Sequence, residues 1–493
     1  MAIIRDRSNR SAEADIVQPR DIEHLQEILK HARADNTPVT VVSGKTSLTG
    51  ACVPVYGGIA LDMSAWRGAS NPGSAYEVMT GKSSAGEYRW YFDQKRSRAV
   101  FSPSIVIEDL DGIVAAHGLM YPPTPGYKAC TLGGNVATNA SGPRTFGFGP
   151  TRDYILYLEV VLPDGEVCDI ERGALVSSGE NVAIKSRSGQ AYEIPIPQYA
   201  WRNLKNATGV YAHEPLDALD LFIGSEGIFG VIISVGIELV PSMNTLTSKM
   251  FFFEGEEAVE CGFALRGRRF SRTSGSGFIS IEYMDANSIR LSNDPHVAGI
   301  CHSALEVEYL EDDRSTVEEL ERTLGSSVPK MTYTGESAAK FRYSIPYNVS
   351  ELLRQWGTTK VATDFSVPPE RFKDLLELYR TTSDAFAARF KNNDSYPATA
   401  VWGHFGDSHL HYNFLPRNAA EQAHAESLYA DLLAQAVAMG SVVSAEHGIG
   451  KKTLPDGTLL LDAQDRAMIP SIKKIKSYLD PQYILSRGNL VGY

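Results

Sequence analysis

Apolar residues recur every third or fourth position through "DIEHLQEILKHARA" near the N-terminus, at Ile22, Leu25, Ile28, Leu29 and Ala32. That spacing predicts an amphipathic helix with Asp21 as its cap. "TPVTVVS" follows as a buried strand, and then comes a loop of small residues. "AVFSPSIVIEDLDGIVAAHGLMYPPTPG" predicts strand, helix and Pro-rich turn, and "YILYLEVVLPDGEVCDI" a hairpin turning at Asp164-Gly165. Residues 66–98 are rich in Gly, Ser and Tyr without a clear period, which predicts an inserted loop or hairpin. After Pro241 longer helical stretches appear, such as "DRSTVEELERTLG" and "AEQAHAESLYADLLAQAVAMG". Strands "FISIEYM", "HSALEVEYL" and "ATAVWGHFG" lie between them. The pattern predicts an α+β protein whose second unit is an antiparallel sheet covered by helices.

A chain of 493 residues is too long for one hydrophobic core, so two or more domains are expected. Hydrophobic residues make up 43% and charged residues 22%, as in ordinary globular proteins. The net charge of −12 argues against a nucleic-acid surface. "LRGRRFSR", Leu265 to Arg272, is a local exception. It reads as a solvated charged loop, with a docking patch for an acidic partner or membrane surface as the alternative. None of the five cysteines forms a CxxC pair, which fits reduced thiols. "MAIIRDRSNRSAEAD" lacks the apolar stretch of a signal peptide, and no run approaches the roughly 18 apolar residues of a membrane span. The expectation is a cytoplasmic protein with at most peripheral contact with the inner membrane.

"SGKTSLTG" ends like a phosphate-binding P-loop, but the glycine required five residues before Gly44 is Val39. No GxGxxG follows a strand, so Rossmann-type NAD binding also loses support. The segment still offers Ser43, Gly44, Thr46, Ser47, Thr49 and Gly50, whose small side chains let backbone N–H groups converge on phosphate oxygens, with Lys45 among them. A second such segment, "CTLGGNVATNASGPRTFGFGPTRDY", supplies Thr131, Gly134, Asn135, Asn139, Ser141 and Gly142; "GSEGIFG" is a third. Three in one unit point to a large extended ligand. "GHFGDSHLHYN" concentrates three histidines and an aspartate, all capable metal ligands. On a straight strand His409 and His411 share one face and His404 the other.

"SGKTSLTGACVP", "PPTPGYKACTLGGNVATNASGPR", "GSEGIFGVI", "GHFGDSHLHYN" and "SAEHGIGK" occur in this order. Together they resemble the FAD-linked 2-hydroxyacid dehydrogenases of the vanillyl-alcohol oxidase superfamily, a group that includes D-lactate dehydrogenases, D-2-hydroxyglutarate dehydrogenases and the D subunit of glycolate oxidase. The resemblance spans about Ile16 to Gly492. It implies a two-part α+β FAD-binding domain over 1–243, with the tail 465–493 returning to it, and a ferredoxin-like antiparallel cap over 244–464. FAD would lie on "SGKTSLTG" and the second segment, with Pro123, Glu226, Ile232 and Asn489 near it. Relatives with covalent flavin carry a histidine in the first loop; this chain has none, so noncovalent FAD is expected.

The same resemblance implies a divalent metal (zinc, manganese or iron) on His404, His411 and Glu446, which requires the chain to bend at Gly406-Asp407-Ser408. His409, where relatives usually carry Asn, is left as an outward residue or one that supports the ligands from behind. His447 is implied as general base, Asn413 as a hydrogen-bonding partner of substrate or ligand, and Arg342 as the substrate-carboxylate residue. Ala362 stands at a usual lysine, with Lys360 nearby; Ser102 and Arg487 replace a usual glycine and proline; and 66–98 exceeds the usual length.

The implied function is oxidation of a small D-2-hydroxy acid, with electrons passing to a protein or quinone carrier. Homo-oligomerisation is left open. Rival readings are an alkylglycerone-phosphate-synthase-like flavoenzyme, whose run of adjacent cap histidines is absent here, a flavin-free metallohydrolase, and a non-catalytic flavin or metal binder.

Overall fold

The computed structural model describes residues 2–8, 10–84, 86–389 and 396–492. The first predicted helix spans Ile22–Ala34, and the Asp21 carboxylate accepts the His24 N–H at 2.7 Å. Its buried Leu25 and Leu29 pack on Val39 and Leu61 of a four-stranded sheet ordered Ala2–Arg5, Ser11–Val17, Ile59–Asp62, Val39–Val42. The C-terminal tail joins this core through Ile484 and Leu485, and it is stitched to Val39 by backbone hydrogen bonds of 2.8 and 2.7 Å.

A six-stranded sheet follows, ordered Val167–Glu171, Ile155–Val161, Val231–Glu238, Arg98–Phe101, Gly86–Asp93, Glu77–Ser83. The turn at Asp164-Gly165 is present, with Gly165 at φ +87°, a backbone conformation that glycine adopts at little cost. The Gly/Ser/Tyr-rich stretch is a hairpin on the edge of this sheet. It does carry a strand period, missed among the surrounding small residues: Tyr88, Trp90 and Phe92 alternate inward, and Trp90 stacks on Phe101 at 5.0 Å.

The seven-stranded third sheet is antiparallel throughout, ordered Met331–Thr334, Leu246–Phe253, Ser303–Leu310, Ser280–Asp285, Thr399–His404, His409–Phe414, Val361–Ala362. One of its faces changes character along the strands. Phe252, Ala304 and Met284 form an apolar row under Phe341 and Ile345 of the helix Glu336–Trp356. The next row, one pleat along, is Met250, Glu306, Glu282 and His404, and Ser248, Glu308 and Ser280 follow. The polar end of this face looks toward the flavin-type segments. There Arg144, from the second small-residue segment, holds Glu308 with two bonds of 2.9 and 3.0 Å. Burial opposes charge on Glu308, but Arg144 overcomes it and holds the carboxyl below its usual pKa. Arg144→Met is expected to lower unfolding stability by about 2–3 kcal/mol in a denaturant titration. This is near the low end for breaking a buried pair, because Arg144 remains 22% exposed.

The arginine string 265–272 is partly solvated, with Arg269 and Arg272 exposed, yet each arginine also has a partner within the protein. Arg266 donates to the Ser408 hydroxyl at 2.6 Å, Arg268 to Thr316, Arg269 to the Thr145 carbonyl and Arg272 to Glu238. Each partner lies in a segment distant in sequence, which is why the string looked unpaired in isolation. Among the described residues the five cysteines are unpaired, and no helix is long and apolar enough to cross a membrane.

Candidate active site

The histidine-rich segment is a hairpin, not one strand with a bend. Thr399–His404 leads into a tight turn, Phe405–Asp407, and His409–Phe414 returns antiparallel, with His404 opposite His409. Ser408 takes the left-handed conformation, φ +52°, and Arg266 braces the turn. Period-two counting across the turn therefore fails, because the chain reverses there. His404 and His411 approach each other from neighbouring strands, their rings 5.5 Å apart.

Both imidazoles converge on one carboxylate. His404 Nε2 stands 3.2 Å from Glu446 Oε2, and His411 Nε2 stands 3.2 Å from Glu446 Oε1. Atoms that share an ion at about 2.1 Å in tetrahedral geometry lie roughly 3.4 Å from one another, so each of these two separations suits a shared cation, while His404 and His411 fall in different groups of mutually close ligand atoms. Two overlapping groups of ligand atoms have a common Glu446: one adds Asp364, His411 and His447, the other His404 and His409. Glu446 Oε2 is buried and already faces the Lys205 ammonium at 2.9 Å. The donor set fits a metal.

Glu446 and His447 lie in a segment without regular structure, pinned from both sides. Asp364 Oδ2 accepts the Ser444 hydroxyl at 2.6 Å and the His447 N–H at 2.9 Å. Glu226 accepts the N–H groups of Ile449 and Gly450 at 2.6 and 2.7 Å. A Cβ on Gly450 would fall 2.4 Å from Thr49 Oγ1, so the first small-residue loop presses directly against this segment. Asp364 Oδ1 then faces His447 Nδ1 at 3.4 Å, while His447 Nε2 points to Glu446 Oε1 at 3.5 Å. His409 is fully buried, 3.0 Å from Asp364, so it is not an outward residue.

The charges of these groups are strongly biased. Burial works against the charged form of His404, but Glu282, 2.8 Å from its Nδ1, and Glu446 raise its pKa to about 9. Burial lowers His447 to about 4, outweighing the pull of Asp364 and Glu446, which leaves a neutral imidazole at pH 7. Burial likewise drives His409 well below its usual value. Asp364 and Glu446 resist burial and stay ionised: His447 and His409 hold the first far below the carboxylate range, Lys205 and His404 the second.

Three residues of this cluster were not singled out from the sequence. Glu282 is a single charge in an apolar strand, Asp364 lies in "VATDFSVP" with no role assigned to it, and Lys205 sits in the unpatterned "WRNLKNATG". A buried glutamate in "FISIEYM" was the one visible hint that something charged stands opposite.

The expected cofactor residues divide into two sets. The first loop and the second segment meet, since a Cβ on Gly44 would touch Thr131 at 3.4 Å. Ser43 Oγ, Asn135 Nδ2 and Ser141 Oγ are buried without hydrogen-bond partners, and Gly142 is tight enough that a Cβ would lie 2.0 Å from the Thr124 carbonyl. Orphaned donors beside a close backbone approach are what a phosphate- and ring-bearing ligand would satisfy. Pro123 and Thr131 are buried, Gly134 donates to the Thr131 hydroxyl at 3.4 Å, and Ile232 is half-buried in its strand. Around the first loop, Ser47 Oγ accepts the Thr49 N–H at 3.1 Å, Lys45 faces Asp62 at 3.8 Å, and Lys45 and Gly50 both have positive φ.

In the second set the protein itself already occupies the side chains. Asn139 bonds to Asn206 and Arg152, and Glu226 holds the Ile449-Gly450 turn, its pKa raised to about 7 by burial. Asn489 donates to the carbonyls of Ala51 and Glu226 and accepts from Lys451 at 2.6 Å. These three shape the site from behind.

Asn413 donates to the Ala400 and His411 carbonyls, while its Oδ1 is buried without a partner. Arg342 is held through one nitrogen, 3.3 Å from Glu306, in the row that leads to Glu282 and His404. The Lys360 ammonium lies 5.7 Å from the Trp402 ring centre.

Comparison with known proteins finds two FAD-associated domains. Residues 264–490 match the family described as FAD linked oxidases, C-terminal domain, and residues 14–81 and 89–171 match an FAD binding domain. The chain is 26% identical to a D-lactate dehydrogenase of Archaeoglobus fulgidus over 97% of its own length and 91% of the relative's. It is 24% identical to glycolate oxidase subunit GlcD of Bacillus subtilis over 96% and 88%. A solved alkyldihydroxyacetonephosphate synthase shares the fold, with a TM-score of 0.61 at 16% identity, covering 96% of this chain and 76% of that one.

Proposed function

The chain belongs to the FAD-linked 2-hydroxyacid dehydrogenase/oxidase family, and from that premise we propose that it oxidises a small D-2-hydroxy acid to the 2-oxo acid with the help of a divalent metal. The observation that carries the proposal is the convergence of His404 and His411 on Glu446, in a segment packed against the first small-residue loop.

Bound FAD supplies a hydride acceptor, and a cation on the His/Glu set supplies the positive charge that acidifies a hydroxyl. The rest falls to the chain's own residues. His447 is neutral, with Asp364 3.4 Å from its Nδ1 and Glu446 3.5 Å from its Nε2; Nε2, on the Glu446 side, receives the hydroxyl proton. Asp364 stabilises the imidazolium that results, as a carboxylate does in any His–Asp pair. Arg342 keeps guanidinium donors beyond the one given to Glu306 and binds the substrate carboxylate. Asn413 Oδ1, unpartnered in its buried place, accepts from the substrate or from a ligand-bound group. Glu282 orients His404 through Nδ1, and a cation would have to displace the proton that His404 otherwise carries on Nε2. Electrons leave to a protein or quinone carrier, in keeping with the missing dinucleotide fingerprint.

The test is anaerobic bleaching of the flavin absorbance by a panel of 2-hydroxy acids. D-enantiomers of small acids are expected to bleach it and L-enantiomers to leave it yellow. A yellow protein that none of them bleaches would remove the dehydrogenase reading.

A further inference from the structure

Lys205 is the charged group of the cluster with no role in the reaction above. Its side chain is 2% exposed, and its ammonium stands 2.9 Å from Glu446 Oε2 and 3.8 Å from Asp407. It donates to the Gly142 carbonyl in the second flavin-type segment at 3.1 Å. The ammonium cannot readily swing away. Two residues on, Ala207 N–H and the Thr208 hydroxyl both bond to the Ser444 carbonyl, 2.9 and 2.8 Å, so this loop is fastened to the segment that carries Glu446. The two oxygens of Glu446 therefore face different company. Oε1 looks to His411 and His447, whereas Oε2 looks to His404 and to a fixed positive charge.

A divalent cation held between His404 and His411 must share this carboxylate with the ammonium. Two positive charges on one carboxylate in a poorly solvated site repel each other strongly. Grasp of the cation by both oxygens would push it against Lys205. Grasp through Oε1 alone avoids this and leaves one more coordination position for an incoming ligand.

We propose that Lys205 is a positioning residue that competes with the divalent cation for Glu446, holding the carboxylate to one-oxygen ligation and keeping coordination positions open for a chelating hydroxy acid. The inference rests on the metal-assisted reading and specifies how that site is tuned.

The test is Mn²⁺ binding to the FAD-loaded protein, followed by the EPR signal of the free ion, with Zn²⁺ as competitor. Lys205→Met, close in length and uncharged, is expected to bind Mn²⁺ at least about tenfold more tightly than the wild type. The same variant is expected to show a higher KM for the hydroxy acid. Lys205→Arg keeps the charge and is expected to stay within about threefold of wild type. Unchanged or weaker Mn²⁺ binding by Lys205→Met with FAD retained overturns the inference and leaves the metal reading intact. Loss of FAD from Lys205→Met but not from Lys205→Arg overturns it too, because the lysine would then serve the flavin loop through Gly142. Absence of Mn²⁺ and Zn²⁺ binding in both wild type and Lys205→Met overturns the metal reading itself, and the inference with it.

Discussion

His447→Ala is expected to slow flavin reduction by a D-2-hydroxy acid by about 10²–10⁴-fold while FAD remains bound, the range a positioned general base contributes. Asp364 holds the backbone N–H of His447 at 2.9 Å and faces its ring, so the imidazole is set in position before substrate arrives. Burial keeps the ring neutral, as a base must be. The bonds that fix the segment, Ser444 to Asp364 and Glu226 to Ile449 and Gly450, do not involve the imidazole, so its removal leaves the local fold in place. Stopped-flow reduction under anaerobic conditions measures the effect. His447 also belongs to one of the ligand groups around Glu446, so metal content is measured on the same sample. Slow reduction with metal retained identifies a base; parallel loss of metal identifies a ligand; an unchanged rate removes His447 from the reaction.

Glu446→Gln is expected to weaken metal binding by about 100-fold or more and to abolish substrate-driven bleaching. The carboxylate is the one anionic member of the His404–His411–Glu446 set and touches both imidazoles at 3.2 Å. A glutamine fills nearly the same volume but turns half of its contact into an N–H₂ donor facing Lys205 or a histidine, where a positive or donating neighbour is already present. The loss is therefore electrostatic and not a packing defect. Elemental analysis of the purified variant and the anaerobic flavin spectrum check it together, and normal metal content with normal bleaching would contradict it.

The elements most legible in the sequence were those fixed by local physics. Asp21 and the apolar stripe behind it specify one helix, and Asp164-Gly165 specifies one turn; neither depends on distant residues. The histidine hairpin was less legible because its turn uses Ser408 in a left-handed conformation and not an Asn-Gly pair. Counting faces along it therefore favoured His409 and His411, while the resemblance gave His404 and His411, the pair that converges on Glu446. Glu282, Asp364 and Lys205 were out of reach for another reason: their partners lie 122, 83 and 241 positions away, at His404, His447 and Glu446, and no local pattern records such pairings. The arginines of 265–272 show the same limit, since their exposure could be read from the charge run but their distant carbonyl, hydroxyl and carboxylate partners could not.

The most direct test of the central claim is anaerobic flavin reduction by a D-2-hydroxy acid in three samples: the protein as isolated, after treatment with a chelator, and after divalent metal is restored. The account predicts that the chelated protein stays folded and yellow but is no longer bleached, and that added metal brings bleaching back. Full-rate bleaching of a yellow protein shown by elemental analysis to hold no metal would contradict it.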